Sequence, residues 1–440
     1  MSMNFQYKWL GKRKLPHSLS PEERHTRCEL SLLVNDHHYL RNEDLLNKHR
    51  VNNFVYVAAY PLAEFFAVNW WRLLCEAPKS DNIRSQHIDW LMSHKVGATA
   101  AGYYWPDLTI YTDGESVQLH LESGKEAKGP LRYLDTRSDW IAISEYESAI
   151  SDFVSNIIAR LDDKKVSNTD LKALWAELTL ERSCPEITTR RRLEAIMGFD
   201  PDEAPQDVIA ELVGAGSVYG SSSIEELTQA LGMKVPEYLV ALSGKLETHF
   251  SLPQTGSDEI KSIKGTPWER GYALADKLRK SWAIPKGNIE NAMLADIIGV
   301  PVNKIECNED AQLEGIGIGK RLDTDVVAFN LGKSRNESRR FMLARLICDA
   351  LVTDSAERLL PCTDLKTSRQ KLQRAFAQEF LCPYQDLVEH LNTETPNDDQ
   401  QIIAAEHFQV SPMMISRIFQ NHRHSGSPTG DGGSAPPPSR

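Results

Sequence analysis

The chain has 440 residues, 41% hydrophobic and 25% charged, a balance that excludes wholesale disorder, a collagen-like fibre and a membrane-embedded bundle. Its 50 Lys and Arg against 61 Asp and Glu leave a formal charge of −11; this weighs against general binding of nucleic-acid backbone, which needs clustered cations. No uncharged apolar run reaches the ~18 residues of a spanning helix, and the basic start (Lys8, Lys12, Arg13, Lys14) has no apolar core behind it, so neither a membrane partner nor a secretory leader is expected. At ~150 residues per domain, the length predicts about three domains. The seven cysteines (28, 75, 184, 307, 348, 362 and 382) are odd in number and form no Cys-x-x-Cys pair. They read as reduced, mostly buried thiols of a cytoplasmic protein.

Seven of the nine Trp fall within the first 175 residues, which marks a Trp-rich α+β N-terminal domain over 1–165. In it, Tyr7–Leu10 and Glu29–Val34 are strand-like. Asn53–Cys75 reads as one long buried helix. Residues 103–122 form a hairpin: Leu108–Tyr111 and Ser116–Leu121 alternate around Asp113-Gly114, which tolerates positive φ. Residues 136–162 read as a helix with Ile150, Phe153, Val154, Ile157, Ile158 and Leu161 on one stripe. Region 166–255 is helical in pattern, with Asn168 and Thr169 offering caps and Pro201, Pro205 and Gly214–Gly220 as breaks; Ser251–Thr266 is a polar linker.

Region 256–424 carries helices over Trp268–Trp282 and Asn291–Val300, short strands at Ile316, Ile318 and Val326–Asn330, helices over Ser338–Thr353 and Thr367–Leu381 (stopped by Pro383), and a last pair over Gln400–Phe408 and Ser411–His422. Residues 425–440, rich in Gly, Pro and Ser, form a disordered tail.

Four segments in this region occur in a recognisable order: Val327-Ala328-Phe329-Asn330, Arg340-Phe341-Met342-Leu343-Ala344, Phe376-Ala377-Gln378-Glu379-Phe380-Leu381-Cys382-Pro383 and Ala405–Ser411. Over roughly 265–422 the chain resembles the ImmA/IrrE family of bacterial zinc metallopeptidases. That family carries a strand ending in Asn, a helix with His-Glu-x-x-His, and a second helix that supplies the third ligand. Zinc needs the two His on one helical face, and the Glu takes a proton from the metal-bound water. The resemblance aligns the His positions with Arg345 and Asp349, the Glu with Leu346, and the third ligand with Leu372, beside Gln373. It therefore implies a pseudo-peptidase with no metal and no cofactor. Arg345 and Asp349, four apart, are placed to pair with each other. If the fold is kept for binding, the partner is expected in the cleft between an edge strand and the former zinc helix, with those two charges on its floor.

Other constellations read more plainly. Cys348, Asp349, Cys362, Cys382 and His390 lack the paired spacing of a zinc site and read as core groups. Asp107, Glu122 and Lys125 resemble a nuclease motif with one residue too many, and read as a solvent-facing hairpin. Gly315–Lys320 is not a phosphate loop, because Glu314 stands where glycine is needed; its glycines read as strand and turn residues. Residues 401–419 have a helix-turn-helix flavour with Ser416, Arg417 and Gln420 outward, yet too few cations accompany them. The candidate recognition residues are Trp70, Trp71 and Trp105, whose clusters are most simply core but as aromatics also suit hot spots, and Arg190, Arg191 and Arg192, the densest basic run, most simply a solvated face or an ion-pair site but also suited to an acidic partner.

The expected function is a non-enzymatic protein-binding subunit or sensor in bacterial stress, toxin–antitoxin or anti-phage defence, with one or more proteins as partners. The alternatives are a subunit of a nucleoprotein complex that contacts DNA or RNA, and a divergent enzyme, either nuclease or metallopeptidase.

Overall fold

The structure, a computed structural model, describes residues 2–11, 19–79, 82–99, 102–124, 129–246, 248–253, 260, 262–306 and 315–425. The chain is a multidomain α+β protein. Its contacts divide it into two compact units, Met1–Ala204 and Pro205–Gly430, and the helices expected as a middle region are shared between them. Lys125 and residues 426–440 of the expected tail lie outside the described residues, as do residues 254–259 and 261 of the expected linker.

In the first unit β1 (Met3–Trp9) pairs antiparallel with β2 (Arg27–Val34), from Met3↔Val34 to Trp9↔Cys28, with α1 (Pro21–His25) between them. Cys28, Leu30, Leu32 and Val34 are buried, the period of two that a half-buried strand dictates. Next come β3 (His37–His38), β4 (Asn42–Asp44), β5 (Arg50–Asn52) and β6 (Val55–Ala58). The single helix expected over Asn53–Cys75 is in fact a strand and two helices, α2 (Tyr60–Val68) and α3 (Trp70–Cys75). Val55 and Val57 alternate inward while Tyr56 stays exposed, so β6 completes the ladder against β2. Asn69 then breaks the helix: its side-chain amide donates to Phe65 O at 2.9 Å, competing with helix continuation.

After α4 (Ile88–His94), the hairpin forms as expected from β7 (Asp107–Thr112) and β8 (Ser116–Glu122). Short β9 (Leu131–Tyr133) joins β4 and β5, and β10 (Arg137–Ala142) adds to the hairpin in the order β10-β8-β7. The helix expected from 136 starts only at Ile143, because 137–142 pair with β8. This helix, α5 (Ile143–Asp163), buries Ile150, Phe153, Val154, Ile157 and Leu161, and Phe153 stacks on Phe5 at 4.2 Å. α6 (Asp170–Ser183) is capped by Thr169 Oγ1 and followed by α7 (Pro185–Ile196).

The second unit begins with α8 (Gln206–Tyr219), α9 (Ser221–Leu231) and α10 (Val235–Leu242). Its sheet has the antiparallel order β11-β13-β12-β14, from β11 (Thr248–Ser251), β12 (Gly317–Arg321), β13 (Val326–Asn330) and β14 (Leu359–Cys362). Gly317 and Gly319 thus serve a strand, as read from the sequence. The remaining helices are α11 (Pro267–Ser281), α12 (Asn291–Ile298), α13 (Val302–Glu306), α14 (Asn336–Val352), α15 (Ser368–Leu381), α16 (Tyr384–Leu391), α17 (Asp398–Phe408) and α18 (Pro412–Ser425). α14 packs on β12, β14 and α15, and α15 packs on α11. Gly271 permits the last contact: a Cβ there would meet Leu372 O at 2.7 Å and Ala375 Cβ at 2.8 Å.

In α15, burial pushes the Glu379 carboxyl up to about 7, although the Tyr384 N–H and the Arg279 charge oppose the shift. A raised carboxyl stabilises the fold only while protonated, and this contribution is lost as pH rises from the unfolded value through 7. Glu379→Gln is expected to flatten the stability–pH curve between pH 5 and 7.5 in urea melts; parallel curves for the two proteins would refute this.

Candidate functional site

The aromatic candidates of the first unit are core residues. Trp70 is 1% exposed, and Trp71 and Trp105 are also buried. This corrects the expectation of a recognition surface, because the apolar area of the rings is spent inside. Arg182 lies over the Trp70 ring at 4.2 Å. The basic run is tied to the same interior. Trp71 Nε1 donates to Glu181 Oε2 at 2.8 Å, and Arg191, buried, reaches Glu181 at 2.6 Å, Glu194 at 2.8 Å and Asp202 at 2.8 Å. Arg190 bonds Asp202 at 2.9 Å and Glu194 at 3.3 Å, and Arg192 is half-buried. Arg190 and Arg191 therefore join α7 to α6 and to the Asp202 turn, with their charge balanced by carboxylates instead of being offered to an acidic partner.

In the second unit the residues aligned with a zinc centre form a closed polar network. Arg345 on α14 is 2% exposed and Asp349, one turn on, 0%. They do not pair with each other. Asp349 accepts two hydrogen bonds from Arg369, Nε to Oδ1 at 2.9 Å and Nη2 to Oδ2 at 2.6 Å, the bidentate fork that a guanidinium offers a carboxylate. Arg345 Nη2 instead donates to Thr363 O at 2.5 Å and to Gln370 Oε1. Gln370 also accepts from Thr363 N and donates to Pro361 O at 2.9 Å, and Gln373 donates to the same carbonyl at 3.2 Å. Leu346 and Leu372 are packed in the core.

Ser223 and Glu226 of α9 complete the network. Arg369 Nη1 donates to Ser223 Oγ at 3.3 Å, and Glu226 accepts from Thr363 and Thr367 hydroxyls at 3.1 Å each. Burial raises the Glu226 carboxyl, against the pull of the Arg369 charge. These side chains do not fit a zinc ion: the one carboxylate at a ligand position is occupied by Arg369, the others are a guanidinium and a leucine, and no proton acceptor stands at Leu346.

The expected cleft is closed as well. Leu359 O of β14 accepts from Ser223 at 2.5 Å, Pro361 O is taken by the two glutamines, and Arg358 N donates to Tyr219 O at 2.8 Å. Proline has no N–H to offer an added strand. Arg345 and Asp349 are thus not floor residues of an open groove. Reversing both charges would bury two mismatched ions instead of testing a binding surface.

The framework residues shared with the peptidase pattern have structural work. Asn330 Oδ1 accepts Gly332 N at 2.9 Å and turns the chain out of β13. Arg340 bonds Asn291, Gln409 and Ile289 O, which ties α14 to the segments before α12 and after α17. Cys348, Cys362 and Cys382 are buried free thiols. Burial pushes Cys348 and Cys382 well up and Cys362 to about 12. His390 stacks on His407 at 4.0 Å. Among the described residues no three His, Cys, Asp or Glu side chains gather as a metal site requires. Asp107 faces Glu122 across the hairpin, but Lys95 holds Asp107 at 2.7 Å and His120 lies 3.3 Å from Glu122. Ser416 and Arg417 are half-buried on α18 and Gln420 is exposed.

Sequence reasoning missed Arg369, Gln370, Ser223 and Glu226. Arg345 and Asp349 on the apolar stretch of α14 signal that partners exist, but nothing in the spacing locates Arg369 and Gln370, 20 and 25 residues on, or Ser223, 146 residues before Arg369. Comparison with known protein families, curated proteins and solved structures gives no match.

Removing one member of a buried ion pair strands the other. Asp349→Leu and Arg369→Leu are each expected to cost about 3–5 kcal/mol, whereas the double replacement costs much less. Chemical denaturation of the four proteins checks the cycle. Additive losses would show that the pair is not coupled.

Proposed function

We propose that the protein acts without catalysis, as a cytoplasmic protein-binding subunit or sensor in bacterial stress, toxin–antitoxin or anti-phage defence. Its second unit is read as an ImmA/IrrE-like peptidase framework whose chemistry has been replaced. The observation that carries this reading is the closed Arg345–Gln370 and Asp349–Arg369 network at the positions where the resemblance puts the ligands. A peptidase centre must leave a coordination position open for water and substrate. Here the corresponding polar atoms are taken up by the protein's own groups, and the carbonyls beside them are capped. The framework residues Asn330 and Arg340 are retained in roles that hold the fold, which suits a domain kept for its surface.

Elemental analysis of the purified full chain is expected to find well under one zinc per molecule, and a chelator to leave the melting temperature unchanged. Affinity capture from the native host is expected to retrieve a protein in fixed proportion. About one zinc per chain together with a chelator-sensitive melt would overturn the reading. So would hydrolysis of a repressor-like substrate that a chelator stops.

A further inference from the structure

In the first unit, α2 has two working sides. Leu62, Ala63, Phe66 and Ala67 pack into the core. Tyr60, Pro61, Glu64, Phe65 and Val68 recur at the spacing of one helical face and line a cleft of about 700 Å³. Its other walls are Ser20 and Glu23 at the start of α1, Met92 and Ser93 of α4, and Ala98 and Thr99 of the turn that follows α4. Val68 and Met92 are each more than half exposed. A volume of this order suits a small organic molecule, and apolar walls with a few polar groups are the usual makeup of such a site.

The polar groups on these walls have a definite sense. Three donors are spent within the chain: the Tyr60 hydroxyl donates to Glu64 Oε1 at 3.4 Å, Ser93 Oγ to Asp89 O at 3.3 Å, and the Asn69 amide to Phe65 O at 2.9 Å. The strongest acceptors keep capacity. Glu23 Oε2 accepts Ser20 N at 2.9 Å in the α1 cap, and Glu64 accepts only the long bond from Tyr60. Among the described residues neither carboxylate makes an ion pair, and no Lys, Arg or His lines the cleft. Burial raises the Glu64 carboxyl against the pull of the Tyr60 hydroxyl, and the Asp170 and Glu22 charges raise it further. A cation arriving from outside is attracted by both lining carboxylates and supplies the partner that Glu64 lacks.

We propose that this cleft is a binding site for a small apolar amine, its ammonium group drawn to Glu64 and Glu23 and its apolar body laid against Phe65, Val68 and Met92. An ammonium group has three donors and no acceptor, which matches walls whose remaining groups are acceptors. An anion would meet two carboxylates. A neutral apolar ligand would cover Glu64 without giving it a partner, at a cost in desolvation. The net charge of −11 favours the approach of a cation at long range. The site lies within the first unit and goes beyond the non-catalytic reading of the second, on which it does not depend.

The test is a saturation-transfer NMR titration of the full chain with tryptamine and phenethylamine, and with tryptophol as the neutral counterpart of tryptamine. Both amines are expected to bind, and tryptophol to bind about tenfold more weakly or not at all. Glu64→Gln, which keeps the side-chain shape, is expected to weaken amine binding by about tenfold. Glu23→Gln gives a smaller loss in the same direction, because glutamine still serves the α1 cap. Met92→Lys, at an exposed position, sets a like charge in the cleft and also weakens binding. Glu211→Gln, exposed on α8, leaves it unchanged. Amine binding is expected to weaken from pH 7.5 to 5, as Glu64 takes up its proton, and Glu64→Gln to lose most of that dependence. Absence of amine binding, equal binding of tryptophol, or undiminished binding by Glu64→Gln and Met92→Lys, each shown to be folded by its melting curve, would overturn the proposal. Zinc in the protein would defeat the non-catalytic reading and not this site.

Discussion

Asp349 carries a carboxylate into the interior of the second unit on a helix whose neighbouring side chains are almost all buried. Desolvating such a charge costs several kcal/mol, recovered only when the partner geometry is close to ideal. Arg369 supplies that geometry, and much of the surrounding structure is arranged by its need to be there. Its Nη1 reaches Ser223 Oγ and its Nη2 also reaches Leu359 O, so the same guanidinium fixes α15 against α14, β14 and α9. Glu357, which accepts from the Ser222 and Ser223 backbone N–H groups at the start of α9, adds a carboxylate where a helix N-terminus favours one. The helical segment before the sheet is therefore bound to β14 and, through Arg369, to α14 by charge and hydrogen bonds.

Much of the fold could be read in the sequence where pattern and burial agree. The 103–122 hairpin, the α5 stripe and the strand ending at Asn330 follow from alternation, from a helical period and from turn chemistry. The failures have a common physical origin. Val55-Tyr56-Val57 and Arg137–Ala142 each run directly into a helix with no intervening breaker, so an apolar count merges strand and helix into one segment. The strand is settled by a partner elsewhere in the chain, β2 in one case and β8 in the other. Asn69 was visible as a polar interruption, but its bond back to Phe65 O, which makes it a break instead of an exposed helical position, is a matter of three dimensions.

The candidate site was legible to a different depth. The four aligned positions, Arg345, Leu346, Asp349 and Leu372, could be named from order and spacing, and their side-chain types already argue against a metal. What could not be read is where their charges go. Four-residue spacing suggested that Arg345 and Asp349 satisfy one another, yet both turn instead to α15 and the turn before it, because a buried carboxylate gains more from a two-pronged donor than from a neighbour on its own helix. Trp70, Trp71 and the Arg190–Arg192 run were chosen for residue type alone. Such types serve cores and interfaces equally well; burial decides between them, and here it assigns Trp70 and Trp71 to the core and Arg191 to a buried ion-pair network.

The two arginines of the α14 network are not in equivalent positions. Arg369 is neutralised in contact, whereas Arg345 is held by a carbonyl and an amide oxygen, dipoles that solvate a guanidinium without cancelling its charge. The Arg345 charge is therefore not cancelled in contact, and Arg374, on α15, is likewise held by a carbonyl. An arginine at the position that the resemblance aligns with a ligand histidine has no electron pair to offer a cation, and its uncancelled charge repels one.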